Sequence, residues 1–133
     1  MAKNTRFLRL QSVIAYLQTE VDGDEIFIKY KNKKIAPADS KFYKITETPI
    51  EVNIEIALNK TDKWVELELW DYDHFSSNDC LGNFKLLVDQ VSDNFTAELI
   101  RKKDSDAKYV LNWAIIERLN KKNKPAKSSP KKN

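Results

Sequence analysis

IEVNIEIAL (residues 50–58) and WVELELW (residues 64–70) both alternate apolar with polar side chains. Ile50, Val52, Ile54, Ile56 and Leu58 stand against Glu51, Asn53 and Glu55, and Val65, Leu67 and Leu69 against Glu66 and Glu68. Side chains that repeat every two residues share one face of a strand, whereas on a helix they would scatter around the whole circumference. The intervening NKTDK reads as a short hairpin-like turn. Further strand candidates are Phe7–Leu17, Glu25–Tyr30, Phe42–Thr46, Asn83–Val88, Phe95–Leu99 and Tyr109–Ile116, with one helical turn over Val88–Ser92. Eight short strands between polar turns predict an all-β fold, an eight-stranded antiparallel β-sandwich. Val65, Leu67, Leu69, Ile54, Ile56, Tyr109, Leu111 and Trp113 are its expected core contributors.

The chain of 133 residues suits one domain with a core of its own. No apolar run approaches the roughly 18 residues of a membrane span, and MAKNTRFLRLQ lacks the apolar stretch of a signal peptide. A cytoplasmic or peripheral-membrane protein is expected, or a virion or particle component. Cys80 is the single cysteine, which excludes an internal disulfide. Charge divides the chain into 1–119 and 120–133. The second segment, NKKNKPAKSSPKKN, holds six lysines and no acid; removing them from 23 Lys+Arg leaves 17 against 20 acids in the body. The body is thus about −3 and the basic tail +6. Lys121, Lys122 and Lys124 begin an arm suited to an acidic protein, nucleic acid or anionic lipid.

Catalysis finds little support. With only Gly23 and Gly82 there is neither a phosphate-cradling loop nor a dinucleotide fingerprint, and no small-molecule substrate is expected. One histidine (His74) and one cysteine do not make a zinc site, and Cys80 before Leu81-Gly82 reads as a small packed thiol. The carboxylates stand out instead. LWDYDHFSSNDCLG (69–82) places Asp71, Asp73 and Asp79 directly after a strand, and QTEVDGDEIFIKY (18–30) places Glu20, Asp22, Asp24 and Glu25 before another. Carboxylates that converge from two loops suit Ca2+, which accepts 6–8 oxygens in flexible geometry.

VELELWDYDHFSSNDCLGNFKL resembles the calcium-binding loop of C2 domains: a strand ending in Trp-Asp, aspartates at the same spacing, then Leu-Gly opening the next strand. GDEIFIKYKNKKI is similar to a second segment of that family. The resemblance covers roughly residues 6 to 117. It implies Asp71, Asp73, Asp79 and Asp24 as metal ligands, Leu81-Gly82 as a turn, and Phe75 at a loop tip that meets membrane. The sequence departs from the family at Gln18, where a carboxylate would stand and for which Glu20 or Asp22 would substitute, and at Glu25, where the family has proline.

Two functions are expected from this. One is a non-catalytic, calcium-dependent module for anionic membranes or protein surfaces, contacting them through Phe75, His74 and the basic run Lys31, Lys33 and Lys34. The other is a calcium-independent adaptor subunit of a large assembly, a phage or contractile-injection particle, docked through its tail.

Overall fold

Our structure, a computed structural model, describes residues 4–17, 25–45, 49–102 and 108–119. Ten strands occur among them: β1 (Asn4–Leu17), β2 (Glu25–Tyr30), β3 (Lys33–Ala36), β4 (Tyr43–Lys44), β5 (Ile50–Ala57), β6 (Trp64–Asp71), β7 (Asp79–Leu87), β8 (Ser92–Glu98), β9 (Ile100–Arg101) and β10 (Lys108–Leu119). One sheet runs β5-β1-β10-β8; the other runs β3-β2-β6-β7-β9, with β4 alongside β2. All pairings are antiparallel. β4 and β9 have two residues each, so eight longer strands carry the sandwich, the number expected, with β3 in the place of Phe42–Thr46.

The inner faces meet as period two demands. Leu8, Leu10 and Val13 of β1 and Tyr109, Leu111, Trp113 and Ile115 of β10 are buried, opposite Ile26 and Ile28 of β2, Val65, Leu67 and Leu69 of β6, and Phe84 and Leu86 of β7. Burying one such aliphatic or aromatic side chain contributes roughly 1.5–3 kcal/mol. Ile54 and Ile56 are only partly buried. They sit on β5, an edge strand whose pairing with β1 shifts between Leu10 and Ser12, where Asn53 takes a φ of 50°. The bulge disturbs the pairing with β1, yet Glu51, Asn53 and Glu55 stay exposed while Ile50, Val52, Ile54 and Ile56 stay on the inner side.

Four expectations are corrected. NKTDK does not close a hairpin, because β5 and β6 belong to different sheets. Arg6 instead holds this crossing, donating to the carbonyls of Asn59, Lys60 and Asp62 and to that of Val88. No helical turn occupies Val88–Ser92: buried Val88 donates its N–H to Lys63 O, and Ser92 already begins β8. Of the strand expected over Phe42–Thr46, Tyr43–Lys44 alone is strand among the described residues, Thr46 lying outside them, and β3, whose lysines hide any alternation, completes a hairpin with β2 through Lys31 and Asn32, both at positive φ. Leu81-Gly82 is not a turn, since β7 starts two residues earlier, at Asp79.

Candidate functional site: the 71–79 loop

Along β6 the inward positions read Val65, Leu67, Leu69 and then Asp71, the one buried charged residue among those described. A carboxylate taken out of water needs hydrogen bonds, and Glu25 N donates to Asp71 Oδ1 at 3.2 Å. Tyr72 N in turn donates to Glu25 O at 2.7 Å, which ties the end of β6 to the start of β2. Asp71 faces Ile26 on one side and Asp79 on the other. Two of the three aspartates therefore sit as direct cross-strand partners at the mouth of the β6–β7 connection, one buried and one exposed. Like charges opposed in this way destabilise a strand pair unless something compensates.

Asp73 is differently engaged. Its Oδ1 accepts from Phe75 N (2.9 Å) and Ser76 N (3.2 Å), and its Oδ2 from Ser76 Oγ (2.7 Å). These bonds, the Phe75 amide foremost, hold its carboxyl below the usual aspartate range. Asp73 N donates to Asn78 Oδ1 at 2.8 Å and closes the loop at its base. The consequence is an aromatic tip fixed in space. Phe75 is 99% exposed, and His74, behind it, shares a 2.9 Å contact between Nε2 and Glu25 Oε1. Phe42 stacks on Tyr72 at 5.2 Å, and His74 sets its ring edge-on to both.

The remaining expected site residues fall elsewhere. Asp24, Asp22, Glu20, Lys121, Lys122 and Lys124 lie outside the described residues. Lys31 lies in the β2–β3 turn and Lys33 opens β3, at the end of β2 remote from Glu25 and roughly 20 Å from it at strand rise. Lys31 rests over Tyr30 (5.2 Å) and Lys34 donates to Ser40 O. Cys80 is half-buried, its thiol pushed up by burial, with Sγ 3.7 Å from Gly82 O. Among the described residues no three of His, Cys, Asp and Glu gather to hold a metal ion. Sequence reasoning missed Asn78, Phe42 and Tyr72, and read Glu25 only as one of the acids before β2. Only the Asp73-x-x-Ser76 pattern carried a local signal, since Asp side chains accept from backbone N–H groups a few residues on.

Two packed antiparallel sheets with an aspartate-bearing connection at one end define a C2-like sandwich. Among solved structures, the C2A domain of a plant Extended Synaptotagmin 1 matches with a TM-score of 0.60, over 89% of this chain and 96% of that one, at 16% identity. At that identity the likeness is one of fold. No family model matches the sequence, nor does any curated protein.

Proposed function

We propose that the chain is a non-catalytic C2-like binding module that docks on anionic membrane surfaces through the 71–79 loop, with Ca2+ as the bridge. The observation that carries this reading is Phe75, 99% exposed at the tip of a loop whose base holds Asp71 and Asp79 as opposed partners. An apolar ring held out in water gains by entering an acyl interface. Carboxylates behind it would repel anionic lipid without a cation. The described residues do not by themselves complete a metal site. Our reading therefore recruits Glu20, Asp22 and Asp24, which stand before Glu25 in the chain. Ca2+ would supply positive charge shared between these carboxylates and lipid phosphates. Calcium-dependent attachment to an acidic protein surface would use the same tip.

Asp73 favours a second reading. Both its oxygens already accept bonds from its own loop, so the tip is ordered by protein groups alone. That suits a calcium-independent adaptor subunit of a larger particle, with residues 120–133 contacting an acidic partner or nucleic acid.

Thermal melting during calcium titration separates the two. A ligand of the folded state alone adds about 2.7 kcal/mol at a hundredfold excess over Kd, worth several degrees in a domain of this size. The calcium reading expects that rise, and expects Asp71→Asn with Asp79→Asn to remove it. A melting curve unmoved at millimolar calcium contradicts it and leaves the adaptor.

A further inference from the structure

We propose that the membrane-facing surface is a ridge of four rings from two chain segments, with Phe42 entering the bilayer interface beside Phe75; this rests on the anionic-membrane reading above. Phe75 alone would be a narrow contact. His74 lies 6.4 Å from Phe75, Tyr72 4.9 Å from His74, and Phe42 5.2 Å from Tyr72 and 5.6 Å from His74, measured between ring centroids. The rings thus run without a break from the tip to Phe42, which precedes β4 and belongs to a different part of the sequence. Offset-stacked and edge-to-face contacts hold such rings as a unit.

The chemistry of the ridge fits one occupant, the interfacial zone of an anionic bilayer. Fully exposed Phe75 is apolar, whereas half-buried Tyr72 and exposed His74 each pair an aromatic body with a polar tip. Rings of that kind settle where headgroups meet acyl chains. Lys41 and Lys44 flank Phe42 in the sequence and are exposed. Lys41 sets its Nζ 5.8 Å from the Tyr72 ring centroid, which leaves the ammonium free for a lipid phosphate. Of the acids at the margin, Glu25 is engaged by His74 and Asp73 by its own loop, while Asp39 stands exposed near Tyr43. A ridge contact tilts the sandwich so that its β4 side approaches the membrane, instead of standing it on a single loop.

Tryptophan placed at each end of the ridge tests this. Phe42→Trp and Phe75→Trp are made separately, and emission is recorded with phosphatidylserine–phosphatidylcholine vesicles in calcium. The unmutated chain gives the baseline from Trp64, Trp70 and Trp113. The ridge expects a blue shift from both variants. It also expects Phe42→Ala to partition roughly three- to tenfold more weakly, in line with partial burial of one ring. Phe42→Leu, still apolar, should keep most of the affinity. A shift from Phe75→Trp with none from Phe42→Trp overturns the ridge while the docking function stands. No shift from either overturns both. Should Phe42→Ala fail to fold, the tryptophan pair still decides.

Discussion

Asp71 occupies a position that the pleat of β6 reserves for an apolar side chain, after Val65, Leu67 and Leu69, and it is held there by the Glu25 amide. The same strand register sets Asp79 opposite it. Asp73, two residues on, has left the strand and caps its own loop. Three aspartates that look equivalent in sequence are thus a buried anchor, a turn former and an exposed partner. Gly82 shows the same dependence on context. Its φ is +153°, and a Cβ there would meet Ile100 O at 2.2 Å, a backbone atom of β9 that cannot swing aside. Gly82→Ala is therefore expected to cost roughly 2–4 kcal/mol, combining backbone strain with overpacking, read as a lowered melting temperature and urea midpoint. An unchanged midpoint would mean that β9 yields freely. The positions of the aspartates were legible in the sequence because spacing is a property of the chain. Their separate roles were not, because each depends on a partner 46 residues away, across a strand pair, or within the loop's own backbone.

At the scale of elements, strands that bury one face were readable and strands on the margins were not. β6 carries clear alternation and β10 a nearly continuous apolar run, and both lie inside their sheets. β5 alternates too, yet its order in the chain says nothing about which sheet takes it, and it crosses to pair with β1 rather than β6. One reason it stays there is ionic. Glu55 on β5 accepts from Arg118 of β10 at 2.6 and 2.8 Å, and from Arg9 of β1 at 2.8 and 3.1 Å. The Arg118 and Arg9 guanidiniums lower its pKa from 4.5 to about 2. The folded state holds the ionised form more tightly than the unfolded chain does. Its stabilising share is therefore complete above pH 4.5 and is lost as pH falls towards 2. All three side chains are in contact with water, so the effect is modest and screened by salt. Glu55→Gln should lower the urea midpoint at neutral pH and match the unmutated chain once pH nears 2. A difference that persists at that acidity would assign the loss to packing.

For the whole molecule, the sandwich follows from simple bookkeeping of faces: two sheets, each with one apolar side, bury those sides against each other. That much the alternation predicts without knowing any pairing. The loop end of the sandwich is harder to read, because it depends on ring and cation–π contacts between segments such as Lys41–Phe42 and Tyr72–Phe75. Charge acts at this scale as well. A body near −3 needs a cation to approach an anionic surface loop-first, whereas the 120–133 segment at +6 does not. Attachment through the loop should consequently require calcium and an intact tip, and attachment through the basic segment neither. Co-sedimentation with phosphatidylserine–phosphatidylcholine vesicles, with calcium and with a chelator, reads this directly on the full chain and on Phe75→Ala. The account predicts that the chain pellets with vesicles in calcium, is released by the chelator, and loses most of its binding in Phe75→Ala. Equal pelleting with and without calcium, unaffected by Phe75→Ala, would contradict it.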